Sequence, residues 1–205
     1  VLDYLLPRAA GAGAVAARPP RAASLPILTL PVPPDDVLRA AIAYNLAVSL
    51  ARTGLQVSVV LPEDPSLCEL WPDSEPQPLG LALVSTRAAD LAELGRAALD
   101  VAVGRLADAR DGGIVLVCVP PALLFRAERA ARALLRWCLL FSLPDRDSLR
   151  ASYAVAKHAL ALEAGIRIGL TLHGVRSLQQ AERAFERIAR VALRQLGTRL
   201  VSYGL

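Results

Sequence analysis

WCLLFSLPDRDSLRASYAVAKHALALEAGIRIGLTL, residues 137–172, contains two short apolar runs on either side of a segment with helical period. The runs Trp137–Leu143 and Ile166–Leu172 have strand length, and Pro144-Asp145 separates the first run from the helical segment. Nearly continuous apolar strands are typical of a sheet that is buried on both faces, and such sheets are parallel. The stretch therefore predicts a strand–helix–strand unit of an α/β fold.

The same alternation covers the chain from Leu25 onward. Together with the two runs above, it predicts a doubly wound, mostly parallel seven-stranded sheet flanked by helices, with ligand sites at the carboxyl ends of the strands. The other strands are predicted at Leu25–Leu30, Gln56–Leu61, Leu79–Ser85, Ile114–Pro120 and in TRLVSYGL, residues 198–205.

Helices are predicted between these strands. We expect Asp35 to cap the first helix, Gly54 to end it, and one apolar face to pack on the sheet. That face consists of Leu38, Ile42, Leu46 and Leu50. The remaining helices are predicted to end before Asp111, to span about Ala122–Arg136, to end at Gly165 and to span Leu178–Leu196.

Length and composition indicate one α/β domain. The chain has 205 residues, 54% of them hydrophobic and only 4% aromatic, so the core must consist of Leu, Val, Ile and Ala. Residues 1–24 are rich in Ala, Gly, Pro and Arg without sustained periodicity, and we expect a flexible arm there. The domain is predicted to span residues 25–205.

Charge and cysteines argue against several classes of partner. The net charge is +4, but basic residues alternate with acidic ones along helices, as in AERAFERIAR at 181–190, and no aromatic-basic stripe suggests nucleic-acid binding. Cys68, Cys118 and Cys138 lack metal-ligand spacing, which favours a reducing compartment. No apolar run approaches the roughly 18 residues of a membrane span. We therefore expect a cytoplasmic protein without stable membrane insertion.

Motifs in both halves of the chain point to one known family. The segment NLAVSLARTGLQVSVVLPED, residues 45–64, resembles a first helix and second strand that follow a P-loop. Later motifs occur in a fixed order, namely Pro144-Asp145, Tyr153 with Lys157, Val175-Arg176-Ser177, Phe185-Glu186-Arg187 and a closing hairpin at Tyr203-Gly204. This order resembles the MinD/ParA-type deviant P-loop ATPases, and within them most closely the flagellar-number regulators FlhG and FleN.

The resemblance implies a nucleotide site whose phosphate loop has changed. The family's K-G-G-V-G-K-[ST] loop falls on residues 34–40, PDDVLRA, and its three glycines become Asp35, Asp36 and Leu38. A P-loop holds phosphates because glycines let backbone N–H groups close on them. Two carboxylates would face the phosphates here, so repulsion replaces attraction.

The other positions of the loop have also changed. Pro34 stands where the family has its signature lysine, and Ala40 has no oxygen for magnesium. Arg39 keeps a positive charge at the Walker lysine position and is the one candidate nucleotide-binding residue, although a guanidinium is a poor geometric substitute. These losses predict a degenerate P-loop.

Three further strand ends lack the family's chemical groups. The catalytic aspartates of the second strand fall near Leu61 and Glu63, the Walker B aspartate falls near Cys118, and the base-reading asparagine falls at His173. The resemblance thus implies a regulatory or scaffolding protein without a catalytic residue, a metal or a cofactor. The alternative is a divergent ATPase that still binds ATP and Mg²⁺ through Arg39 and backbone donors.

Partners are implied by the resemblance alone. They are a flagellar SRP-type GTPase, a rotor-ring protein, a transcriptional activator, or an active MinD-like paralogue with which the chain pairs. Such a partner would recruit the chain to the cell pole or the inner membrane surface.

Three other features have two readings each, and a fourth has one. Cys118 and His173 are a thiol nucleophile and its base if their strand ends are adjacent, and otherwise a buried cysteine and a loop histidine. Glu63-Asp64 is a ribose or metal site or a solvated pair. The helix at 122–136 is a partner surface or an ordinary sheet-covering helix, and Trp71 in its Pro-rich loop is a candidate exposed anchor for a partner.

Overall fold

Seven parallel strands form one sheet in this computed structural model, which describes residues 24–64, 71, 78–109, 112–127 and 132–203. Every neighbouring pair of strands is parallel, so the prediction of a mostly parallel seven-stranded α/β sheet is confirmed. The strands are β1 (Ile27–Pro31), β2 (Gln56–Pro62), β3 (Leu81–Thr86), β4 (Gly113–Val119), β5 (Trp137–Ser142), β6 (Arg167–Leu172) and β7 (Val201–Ser202), in the spatial order β3-β2-β4-β1-β5-β6-β7.

Helices cover both faces of the sheet. β1 and β4, in the middle of the sheet, are buried along their whole length because helices pack above and below them. The helices are α1 (Val37–Arg52), α2 (Leu91–Gly104), α3 (Pro121–Arg126), α4 (Arg146–Leu162) and α5 (Leu178–Leu196). Among them, α1 packs on one face and the other four on the opposite face, which divides the core into two layers. No helix among the described residues is long and apolar enough to cross a lipid bilayer.

α1 packs on the sheet through a face that overlaps the predicted one only in part, since Leu50 is buried as predicted. Leu38 is 52% exposed, and Ile42 and Leu46 are only partly buried. Small side chains allow the helix backbone to approach the strands closely. Alanine residues, and not the predicted leucines, therefore make up most of the buried face. The buried residues of α1 are Ala40, Ala43, Ala47, Leu50 and Ala51.

Both ends of α1 are defined by local chemistry. Asp36, and not the predicted Asp35, is the N-cap, because its side chain accepts a hydrogen bond from the backbone N–H of Arg39. The predicted end at Gly54 is confirmed, since this glycine directly follows the cap residue Thr53 and has a φ of +91°.

The predicted helix at 122–136 is shorter than expected. α3 ends at Arg126, residues 132–136 form turns, and residues 128–131 lie outside the described part of the chain. Leu134 and Leu135 are fully buried, and the carbonyl of Leu134 accepts a hydrogen bond from the hydroxyl of Thr29 in β1 at 2.5 Å. This contact with the sheet takes the place of a further helical turn.

One other expectation is wrong. Trp71 is 4% exposed and packs edge-on against Tyr44 at 5.9 Å, so it is a core residue and no exposed anchor. β7 pairs in parallel with β6, and the closing hairpin that the resemblance implied at Tyr203-Gly204 stays a prediction, because Gly204 is not among the described residues. A Cβ at Gly169 of β6 would collide with the ring of Tyr203, so position 169 requires a glycine. The predicted arm, apart from Ser24, and Cys68, Asp111 and Gly204 lie outside the described residues.

Candidate functional site

The connection between β1 and α1 takes the place of a phosphate loop. β1 ends at Pro31, and the pairing continues by one bond from the Val32 N–H to the Val119 carbonyl at 3.1 Å. Residues 33–36 then form a tight turn in which the Asp36 N–H donates to the Pro33 carbonyl at 3.2 Å. No described residue other than glycine has a positive φ, and this turn contains no glycine. Its backbone thus lacks the left-handed conformations with which glycines curl a loop around an anion.

Most backbone donors of this turn are absent or in use. Pro33 and Pro34 have no N–H, and the N–H of Asp36 is bound to Pro33. The N–H of Arg39 donates to the Asp36 side chain at 2.9 Å, and that of Ala40 donates to the Asp36 carbonyl at 3.0 Å. The cap thus removes the N–H of Arg39 from the groups that the start of α1 could offer an anion, and leaves those of Val37 and Leu38.

Asp36 also pairs with the side chain of Arg39. The guanidinium Nε lies 3.3 Å from the carboxylate Oδ2, and both side chains are shielded, at 17% exposure for Arg39 and 30% for Asp36. One carboxylate thus binds both the backbone and the side chain of the residue at the Walker lysine position. Asp35 is exposed, and Ala40 is buried with its methyl group in the core.

His173 lies close to this pair, at the end of β6. Both of its ring nitrogens are enclosed without a hydrogen-bond partner. The pKa of His173 is lowered, mainly by burial and further by the positive charge of Arg39, while the negative charge of Asp36 acts in the opposite direction. The fold therefore brings together the positions that the resemblance assigned to the phosphate lysine and to base reading, and burial there disfavours the charged form of the imidazole.

The second strand has a core leucine near its end, and a carboxylate paired at the surface follows the strand. Leu61 is 3% exposed and belongs to the core. Glu63 forms a surface salt bridge with Arg87, whose Nε lies 2.8 Å from Oε2. Within the described ranges, no group of three or more His, Cys, Asp or Glu side chains could hold a metal ion. The carboxylate of Glu63 at this strand end thus belongs to a solvated ion pair.

Cys118 and His173 do not form a nucleophile and base. Their strands, β4 and β6, are separated by β1 and β5, which places them about 14 Å apart at the usual strand spacing. Cys118 is fully buried, and burial raises the pKa of its thiol far above the ordinary range. An unreactive core thiol therefore fills this position.

A cavity of about 420 Å³ opens beside the β1–α1 turn, between α3 and α4. Its walls are mostly apolar, and among the residues that the structure describes Arg39 is the only charged one that lines it. Phe125, 44% exposed, stands at this cavity and contacts the His158 ring at 4.8 Å. The residues from α3 and α4 were not singled out in the sequence, because nothing in their spacing distinguishes them from core positions. They include Pro121, Ala122, Phe125, Ser152 and Val155.

No protein-family model matches the chain, and no curated protein matches it. Solved structures do match. The MinD cell division protein of Aquifex aeolicus aligns with a TM-score of 0.53 and 13% identity, over 86% of this chain and 80% of that one. A plasmid partition protein from Borrelia burgdorferi aligns with a TM-score of 0.52 and 13% identity, over 88% and 90%.

The pNOB8 ParA protein bound to nonspecific DNA aligns with a TM-score of 0.51 and 11% identity, over 85% of this chain and 76% of that one. The strand order and the wholly parallel described sheet agree with these likenesses. At such low identities they establish the architecture, and the chain therefore has the α/β fold of the MinD-like P-loop NTPases.

Proposed function

We propose that this chain is a MinD-like P-loop protein that neither binds nor hydrolyses ATP and acts through protein contacts. The observation that carries the proposal is the double role of Asp36, which occupies the backbone N–H and the guanidinium of Arg39. An internal carboxylate thereby takes the interactions that a phosphate would need. Because this carboxylate belongs to the same chain, it competes with a nucleotide without the loss of translational and rotational entropy that association of a ligand costs.

Electrostatics support the same conclusion. A second carboxylate, Asp35, precedes Asp36 in the turn. Each like-charge contact with a phosphate near 4 Å costs from about 1 kcal/mol in water to about 4 kcal/mol at a partly buried position. Ala40 has no oxygen with which to hold Mg²⁺, and Mg²⁺ normally neutralises the triphosphate. The residues present therefore do not fit a magnesium nucleotide.

Calorimetric titration with Mg-ATP tests this proposal. We expect no heat of binding at millimolar nucleotide for the wild-type protein. Micromolar binding that Arg39→Ala abolishes would instead favour the divergent ATPase, for which the position of Arg39 at the cavity is the supporting feature. Arg96→Ala is the matched control, because Arg96 also forms an i,i+3 pair with a carboxylate, that of Glu93 at 3.7 Å, away from the cavity.

We further propose a role close to that of FlhG and FleN, in flagellar placement or number or in a related polar assembly. The support is the ordered set of motifs that includes Pro144-Asp145, Tyr153 with Lys157 and Val175-Arg176-Ser177. The partner is then a flagellar SRP-type GTPase, a rotor-ring protein, or an active MinD-like paralogue. It brings this cytoplasmic protein to the cell pole or the inner membrane surface.

Co-purification of the tagged chain from its native host tests this role. We expect one of the three partner classes to be enriched over a tag-only control. Deletion of the gene should then change the number or position of flagella or of another polar structure. Normal polar assembly in the deletion strain, together with none of these partners in the purified material, would contradict the proposed role.

A further inference from the structure

A second concave surface lies between α4 and α5, away from the nucleotide position. Its volume is about 340 Å³. Arginines from both helices stand at its rim, and apolar side chains form its floor, of which Val191 is 42% exposed. We call it the α4–α5 groove, and the residues that define it are Arg146, Arg150, Tyr153, Arg187, Ile188 and Val191.

The arginines of the α4–α5 groove have no salt-bridge partner among the described residues. Arg146, Arg150 and Arg187 form no salt bridge with any residue in the described part of the chain. Asp147 and Glu186, which are adjacent to Arg146 and Arg187 in the sequence, form no salt bridge with these guanidinium groups. Three exposed guanidinium groups around one apolar floor can each pair with a carboxylate of a negatively charged ligand.

We propose that the α4–α5 groove binds an acidic amphipathic helix of a partner protein. A helix packs well into the groove between two others, because its side chains fill the spaces between theirs. Apolar side chains spaced three and four residues apart would contact Ile188 and Val191, and flanking carboxylates would pair with Arg150 and Arg187. Arginine suits this role because its planar guanidinium binds a carboxylate with two hydrogen bonds.

Shape and polarity distinguish this occupant from other anionic ones. A lipid surface is bound by apolar side chains that project into the bilayer, whereas Val191 and Ile188 line a depression. A nucleic-acid backbone carries negative charge but has no apolar chain with which to fill the floor. A protein segment with both features satisfies the rim and the floor together.

A fluorescent peptide of about 16 residues, with leucines at helical spacing and glutamates elsewhere, is the probe. We expect the protein to bind it with a Kd in the micromolar range by fluorescence anisotropy. Versions with lysine for glutamate, or serine for leucine, should bind at least about tenfold more weakly. The double variant Arg150→Glu/Arg187→Glu should also lose about tenfold or more in affinity.

Matched controls separate the groove from general electrostatics. Arg52→Glu changes the charge on α1, on the other face of the sheet, and should leave affinity within about twofold, because exposed charges beyond a Debye length are screened. Val191→Ser should weaken binding, whereas Leu193→Ser, 49% exposed on the same helix but outside the groove, should not.

Several outcomes would overturn the proposal. They are no binding of the glutamate-leucine peptide by the wild-type protein, equal loss with Arg52→Glu, or displacement of the peptide by duplex DNA or by vesicles containing phosphatidylglycerol at lower concentration. The inference goes beyond the proposed function, since the groove does not include Arg39 or Asp36. Nucleotide binding by the wild-type protein would therefore leave it intact.

Discussion

Replacement of Asp36 by alanine should destabilise the domain by about 1.5 kcal/mol. Loss of an N-cap hydrogen bond, here the 2.9 Å bond from the Arg39 N–H, costs about 1 kcal/mol. The ion pair with Arg39, with Asp36 30% exposed, adds about 0.5 kcal/mol, the middle of the range for solvent-accessible pairs. For a domain of this size, about 1.5 kcal/mol corresponds to a fall in Tm of about 3–6 °C.

Asp36→Asn separates the two contributions. Asparagine caps helices as well as aspartate does, so this variant should keep the hydrogen bond and lose only the ion pair, at about 0.5 kcal/mol. Urea unfolding followed by circular dichroism measures the difference. Asp90→Ala is the matched control, because Asp90 caps α2 through the Glu93 N–H at 2.8 Å and should cost about 1 kcal/mol.

Two results would refute this reasoning. An Asp36→Ala variant as stable as the wild-type protein would mean that the carboxylate does not hold the start of α1. Equal costs for Asp36→Asn and Asp36→Ala would mean that charge, and not the hydrogen bond to Arg39, supplies the stability. Either result would remove the physical basis for an internally occupied phosphate position.

Other consequences of the structure are open to measurement. The lowered pKa of His173 makes the folded state bind its proton less readily than the unfolded chain, so stability should fall as pH drops below about 6.5, and His173→Gln should remove that part of the pH dependence in unfolding experiments. Thr29→Val should cost about 1–3 kcal/mol in urea unfolding, since the buried Leu134 carbonyl loses its donor; a cost near zero would contradict that bond. Burial raises the pKa of Cys138 to about 12 and that of Cys118 further, so peptide mapping should find both unlabelled by iodoacetamide until the protein is unfolded, and labelling in the native state would show that these thiols are accessible.

The loop residues of the candidate site were predictable from the sequence, but their contacts and the cavity residues from α3 and α4 were not. The changed loop at 34–40 is evident in the sequence, because glycine, lysine and serine or threonine have specific roles in a phosphate loop. Which of two adjacent aspartates caps α1, and that the same carboxylate also pairs with Arg39, depends on the path of the turn after Pro33. Local spacing is compatible with either aspartate.

The order of strands and helices follows from sequence alone, since a buried parallel strand requires a continuous apolar run and each crossover requires a helical period. β4 and β5 lie within one residue of their predicted bounds because Gly113 and Pro144 delimit them locally.

Only the tertiary structure determined which apolar face of α1 packs on the sheet, where the helix after β4 ends, and that His173 lies beside Arg39 and Asp36. Each of these depends on contacts between residues far apart in the chain, as in the bond from Thr29 to Leu134. Helical periodicity identifies candidate faces, but the free energy of packing against the strands selects among them, and that free energy depends on how closely two backbones approach.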